Sequence, residues 1–309
     1  MAIRERVDIL MGIRDGARHL PAQLGSIAEQ TGPHWHLTCS DDGSTDASCD
    51  ILRGFSADYP GRVRVRRGPQ SGFCANYLHM IAALPDDAGF VAFADQDDLW
   101  LPHKIARAQR ALDRIPANVP ALYCARRWIW DGGAGITAGP DGPARQPGFA
   151  NALVENIAPG NTIMLNAAAA RLARDMAPSA GAVFAHDWWL YLLISGAGGV
   201  ILTDPARVLL YRQHGQNAIG AGAGIAAQLA RKGAVLRGAF RARVGGNIAA
   251  LDQCRHTLTS DNRAALDQFA AARMMPGIRR LEAFRQVRPY RQSRRATLQF
   301  WGAAALGKV

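Results

Sequence analysis

Cysteine is scarce in this chain of 309 residues and is poorly spaced for structural use. Cys39, Cys49, Cys74, Cys124 and Cys254 make an odd set with no CxxC pair. A disulfide framework or a zinc ribbon is thereby excluded, and reduced thiols in the cytosol are the simple account. Long apolar runs are also lacking. Nowhere does the chain reach the roughly 18 uninterrupted apolar residues of a membrane span. The start, Met1-Ala2-Ile3-Arg4-Glu5-Arg6, has no signal-peptide core. The expectation is a cytoplasmic protein. Acidic residues are the third shortage, and it is local. From residue 222 onward 16 Lys and Arg face 4 Asp and Glu, a net charge of +12, whereas residues 1–221 carry 20 against 21, a net −1. A nearly neutral body carries a basic tail.

What is present suits a globular domain. The chain is 49% hydrophobic with 7 Trp, enough for a buried core. Val7 to Ile13 reads as a strand, 18–30 as a helix, His34 to Ser40 as a strand, and Ala47 to Phe55 as a helix with Thr45 or Asp46 as its N-cap. Arg62 to Arg66 is a third strand, Gly72 to Leu84 a helix, Phe90 to Ala94 a strand, and Pro102 to Ile115 a helix. This alternation predicts an α/β fold with a mostly parallel sheet flanked by helices, and ligands beyond the carboxyl ends of its strands. Farther on, 131–148 is rich in Gly and Pro and reads as a long surface loop. Helices are expected at Ala167 to Met176 and from His186, and two strands at Gly199 to Thr203 and Arg207 to Tyr211. A Gly/Ala stretch at 218–226 marks the boundary between a domain at 1–221 and a basic helical extension at 222–309.

The densest chemistry is Asp95-Gln96-Asp97-Asp98-Leu99-Trp100, three carboxylates in four positions behind a strand. Clustered acids at the end of a buried strand repel unless a cation compensates. Oxygen donors without Cys or His favour a hard divalent ion that keeps positions open for phosphates. The same six residues also suit a solvated turn capping a helix.

Taken together, the ordered segments resemble the family 2 glycosyltransferases of the GT-A fold, most closely their rhamnosyltransferase-like branch. They are the first strand, Ser26 to Thr31, Asp41-Asp42-Gly43-Ser44-Thr45-Asp46, the Asp95 run, His186-Asp187-Trp188-Trp189, and Tyr211-Arg212-Gln213-His214-Gly215-Gln216-Asn217, spanning about 7–220. The resemblance implies nucleotide-sugar contacts from Asp41, Asp42, Gly72, Asn76, Asp95, Gln96 and Arg212. Ile13-Arg14-Asp15 stands where the family shows a Thr-Tyr-Asn-like triplet. Ile13 and Asp15 then take the nucleotide-binding position, and Arg14 offers a planar guanidinium for a stacking ring. Asp97 and His214 would ligate Mn2+ or Mg2+. Asp187 would be the base of an inverting transfer, needing one carboxylate on the acceptor face. Trp188 and Trp189 either shape the acceptor pocket or are core. Asp98 is open between ligating metal, capping a helix and approaching the acceptor.

The activity implied is metal-dependent transfer of L-rhamnose from dTDP-rhamnose to a hydroxyl of a polysaccharide or lipid-linked glycan. The alternatives are a UDP-hexose or UDP-N-acetylhexosamine donor, a DxD phosphatase, and a non-catalytic nucleotide-binding protein. Arg231, Lys232, Arg237, Arg241, Arg243, Arg285, Arg288, Arg291, Arg294 and Arg295, with Phe284, Tyr290, Phe300 and Trp301 among them, suit an anionic membrane surface better than nucleic acid. A peripheral position on the inner membrane face is expected.

Overall fold

A computed structural model describes residues 6–32, 34–213 and 238–309. They divide into two compact units, the first within 6–142, 158–178 and 199–213, the second within 143–157, 179–198 and 238–309.

In the first unit the chain starts with β1 (Arg6–Ile13), α1 (Leu20–Ala28), β2 (His34–Asp41), α2 (Ser48–Asp58), β3 (Val63–Arg67), α3 (Phe73–Ala82) and β4 (Phe90–Ala94). β5 (Leu99–Trp100), α4 (Lys104–Leu112), β6 (Ala121–Trp130) and β7 (Ile136–Ala138) follow. α5 (Phe149–Ala152) belongs to the second unit, and β8 (Met164–Leu165) and α6 (Ala167–Met176) return to the first. After α7 (His186–Gly196) of the second unit, β9 (Val200–Arg212) completes a nine-stranded sheet ordered β3-β2-β1-β4-β8-β6-β9-β5, with β7 on β6.

β1 to β4 are parallel because their connections are helices, and β4 is buried at all five residues, as a central strand covered on both faces must be. β8 lies antiparallel between β4 and β6, and β5 lies antiparallel to β9, so the sheet is mixed but mostly parallel. The register sets Ile13 beside Asp41, Asp41 beside Arg67, and Met11 beside Ala94. Four successive loops therefore leave one edge of the sheet together. Leu20, Leu24 and Ile27 of α1 and Ile105, Ala108 and Leu112 of α4 join Val7, Ile9, Met11 and Trp35 in the core beneath it.

Three expectations are corrected. The segment 131–148 is not all loop: Ile136–Ala138 pairs with Trp128–Trp130 in a hairpin whose turn is held by Asp131 Oδ1, which accepts the Gly133 N–H at 2.8 Å. The two strands expected from 199 to 211 are one, β9. Asp204-Pro205 reads as a break because proline offers no ladder donor. Instead the strand passes through an irregularity opposite Ala125 and Arg126, and the Asp204 carboxylate accepts the Ala206 N–H at 2.8 Å. The helix expected from Ala47 starts at Ser48 with Ala47 as its cap, while Asp46 accepts both the N–H (2.9 Å) and the hydroxyl (2.5 Å) of Ser48.

The second unit contains α5, α7, α8 (Ala239–Gln253), α9 (Ser260–Met274), α10 (Gly277–Val287) and α11 (Arg294–Ala305). Phe284 is its aromatic hub, with Phe269 at 5.1 Å, Phe300 at 5.6 Å and Trp301 at 6.3 Å between centroids. Thr259 and Ser293 cap α9 and α11, each side chain accepting the N–H three residues on. Among the described residues no helix is long and apolar enough to cross a membrane. His214, Arg231, Lys232, Arg237 and the Gly/Ala boundary at 218–226 lie outside the described residues.

Candidate active site

The loops after β1, β2, β3 and β4 are stitched to one another by side chains reaching backbone. Asp42 is 3% exposed, and its two carboxylate oxygens accept the N–H groups of Gln70 (2.6 Å) and Gly72 (2.9 Å), pinning the third loop to the second. Asp15, at φ 47°, accepts the N–H (2.7 Å) and hydroxyl (3.1 Å) of Thr45, and its own N–H donates to the Ser44 hydroxyl at 3.0 Å. Gln96 binds Arg14 twice, accepting its N–H at 2.8 Å and donating to its carbonyl at 2.9 Å. Asn76, 1% exposed, accepts from the Ser40 hydroxyl and donates to the Ser40 carbonyl. Gly68 fits between these groups because it has no Cβ: one would lie 2.8 Å from Asn76 Oδ1 and 2.9 Å from Asp42 Oδ1.

Asp42, Asn76 and Gly72 thus build the floor of the loop cluster. Ile13 is core, 1% exposed, and its carbonyl accepts the Asp42 N–H at 2.8 Å. Asp41, Asp95, Gln96 and Asp97 are half-buried at strand ends, where side chains can meet both solvent and protein. Asp41 receives the Ser44 N–H at 3.2 Å, and Asp95 lies 3.3 Å from the Tyr77 hydroxyl, which donates to the Ala94 carbonyl at 2.6 Å.

Asp98 differs from its neighbours. It is 0% exposed, accepting from Asn161 Nδ2 at 2.6 Å and lying 3.4 Å from the Arg212 N–H. Burial, then the negative fields of Asp95 and Asp97, push its carboxyl well above the usual range. With no exposed surface, Asp98 organises the acidic loop from below and does not present a face to an acceptor. Lys104, 2% exposed with its ammonium 3.5 Å over the Trp100 ring, is lowered to about 7 by burial, against the opposing pull of Asp98 and Asp95. Arg212 sits over Trp130 at 4.0 Å and its Nε donates to the Asp97 carbonyl at 2.9 Å. Burial lowers its pKa while Asp97 and Asp98 raise it. The end of β9 is thereby tied to the acidic loop.

Among the described residues no three His, Cys, Asp or Glu gather as a metal cage. Asp95 and Asp97 nevertheless fit a hard cation. They are half-buried oxygen donors two positions apart at the end of β4, whose negative fields add to burial, the larger cause, in raising Asp98 and Tyr77, and two protein ligands leave most positions for phosphate oxygens, as Mg2+ sites do.

In the second unit every residue of α7 is buried except Asp187. Asp187 occupies the first turn, where the helix dipole favours a carboxylate, and its Oδ1 accepts the Trp188 N–H at 2.6 Å. Trp189 is 0% exposed and core. Trp188, 7% exposed, donates its indole N–H to the Ala152 carbonyl at 2.7 Å, so both rings are structural in placement. Asn161, Tyr77 and Lys104 were not legible as members of the loop cluster, since an Asn in a loop, a Tyr on a helix and a Lys at a helix start carry no spacing signal.

Comparison with known proteins agrees with this layout. Residues 14–132 match the family model Glycosyl transferase family 2. The dTDP-rhamnosyl transferase RfbG of Shigella flexneri is 26% identical over 243 residues, 76% of this chain and 82% of that protein. Among solved structures, S. aureus TarS 1-349 in complex with UDP superposes with a TM-score of 0.54 at 13% identity, over 98% of this chain and 88% of that one. The mannosyltransferase PcManGT from Pyrobaculum calidifontis, in complex with GDP-Man and Mn2+, gives 0.51 at 16% identity, over 99% and 87%. The shared architecture is the GT-A fold.

Proposed function

Because residues 14–132 match the model of glycosyl transferase family 2, we propose that this chain is an inverting, metal-dependent transferase that moves L-rhamnose from dTDP-rhamnose to a hydroxyl of a polysaccharide or lipid-linked glycan. The observation that carries the reading is the set of loops at one edge of the parallel strands, which leaves Asp41, Asp95 and Asp97 at the surface of a floor locked by Asp42, Asn76 and Gln96. Similarity to RfbG over most of both chains favours the rhamnosyl donor.

In this reading Asp41 accepts hydrogen bonds from the base or ribose, Asp95 contacts ribose, and Asp97 holds the cation with Asp95 beside it. When bound, Mg2+ or Mn2+ neutralises charge developing on the departing diphosphate. Arg212 adds a fixed positive charge on the same side. Asp187 takes the proton of the acceptor hydroxyl as its oxygen bonds to the anomeric carbon and the bond from that carbon to the phosphate oxygen breaks. The products are an inverted glycoside and the nucleoside diphosphate. The basic second unit suits a position at an anionic membrane surface.

A donor panel tests this: nucleoside diphosphate release from dTDP-rhamnose, UDP-glucose, UDP-N-acetylglucosamine and GDP-mannose, with and without chelator. Turnover is expected with dTDP-rhamnose, abolished by chelator. Absence of metal-dependent turnover with every donor overturns the proposal, and turnover with a UDP-sugar alone replaces the donor.

A further inference from the structure

The second unit contains a cleft of about 450 Å3 walled by Arg145, Arg285, Arg288, Tyr290 and Trp301. Its cationic wall is assembled from separate parts of the chain. Arg285 is in the last turn of α10, Arg288 is its C-cap, and Trp301 is on α11, half-buried against Phe284. Arg145 arrives from far upstream, held by its N–H to Gln292 Oε1 at 2.8 Å and by its guanidinium 3.9 Å over the Tyr290 ring. Tyr290 is itself fixed, its hydroxyl donating to the Gln146 carbonyl.

Two features set this cleft apart from an ordinary basic surface. Among the described residues no carboxylate pairs with Arg145, Arg285 or Arg288, whereas the adjacent Arg291 has Glu155 at 3.4 Å. Three unneutralised guanidinium groups repel one another and favour a multivalent anion between them. In addition, Arg288 adopts φ 52°, ψ 48°, the left-handed conformation that glycine usually fills at a helix end. The chain keeps a guanidinium at this lip despite that strain.

Guanidinium forks match phosphate oxygens in geometry as well as charge, and the Tyr290 and Trp301 faces supply an apolar shoulder for the carbon portion of an ester. We infer that the cleft between α10 and α11 binds the phosphate group of a phosphate ester. A phospholipid headgroup and a soluble sugar or glycerol phosphate share this chemistry. Its test needs no turnover.

The full chain is titrated calorimetrically with glycerol 3-phosphate, and sedimented with phosphatidylcholine vesicles containing phosphatidate. Two double variants are compared with the parent. Arg285→Gln/Arg288→Gly empties the cleft of two charges and relieves the left-handed residue, so the fold is retained, as its unfolding midpoint will report. Arg294→Gln/Arg295→Gln removes equal charge outside the cleft. The cleft variant is expected to weaken binding of at least one probe by about tenfold or more, the loss of charge-assisted contacts. The second variant should change it by about twofold or less. A response with glycerol 3-phosphate assigns the soluble source, and one with vesicles alone the lipid headgroup. Equal losses in both variants, no binding of either probe, or a cleft-dependent response to a short single-stranded oligonucleotide alone would overturn the inference.

Discussion

The acidic run shows how far residue type falls short of residue role. Asp95, Asp97 and Asp98 are the same amino acid within four positions, yet two are half-buried at a strand end and the third has no exposed surface. If Asp98 works as a neutral, buried acceptor for Asn161, Asp98→Asn is tolerated. Asp98→Ala strands the Asn161 amide and costs about 1–3 kcal/mol, readable as a lower urea midpoint. His186 makes a second residue-scale test. It is 5% exposed, and burial lowers its pKa to about 3. Its folded value lies below the unfolded value near 6.5, so the unfolded chain binds the extra proton between those two pH values. Stability is then fully present above pH 6.5 and is lost as pH falls toward 3, by at most about 1.4 kcal/mol per pH unit. His186→Phe should flatten this acid limb in unfolding midpoints taken across the window; an unchanged limb refutes the assignment.

At the scale of elements, the stitched loops predict a sharp intolerance at Gly68. A methyl group there meets Asn76, Asp42 and, at 3.0 Å, the Asp41 carbonyl, so Gly68→Ala should cost about 1–3 kcal/mol and weaken nucleotide binding along with thermal stability. The elements themselves were unequally legible. β1, β2, β4 and α6 announce themselves through apolar runs or helical periodicity, and their bounds in the structure lie within a residue or so of those read from sequence. β9 did not, because Asp204-Pro205 looks like a terminus and only the tertiary partners of Asp204, the Arg107 guanidinium (2.5 Å) and the Tyr123 hydroxyl (2.8 Å), carry the strand past it. The apolar order from Asn161 to Leu165 is legible in the sequence, but only its last two residues, Met164 and Leu165, pair as β8. The loops of the candidate site were legible as acids at strand ends. Their internal wiring was not, since hydrogen bonds such as Gln96 to Arg14 span 82 positions and leave no periodic trace.

For the whole molecule, the proposed chemistry is distributed over two separately packed units, with the nucleotide and cation ligands on one and Asp187 on the other. Binding and transfer should therefore separate by mutation. Asp187→Asn is expected to leave the dissociation constant for the donor unchanged while lowering the transfer rate by about 10²–10⁴, the range for loss of a general base. Asp97→Ala should instead weaken donor binding in the presence of Mg2+ and have little effect with chelator. Calorimetry with the nucleotide sugar and product analysis on the same preparations distinguish the two, and equal damage to binding by both variants would contradict the division of labour.

The paired hydrogen bonds between the Gln96 amide and the Arg14 backbone have a mechanical meaning. A side-chain amide there imitates the next rung of a β-ladder, so the acidic loop and the loop after β1 hinge as one piece. Gln96→Glu keeps the shape but sets a carboxylate oxygen against the Arg14 carbonyl, unlatching one loop from the other; amide exchange at Arg14 should then quicken while the strands beneath stay protected.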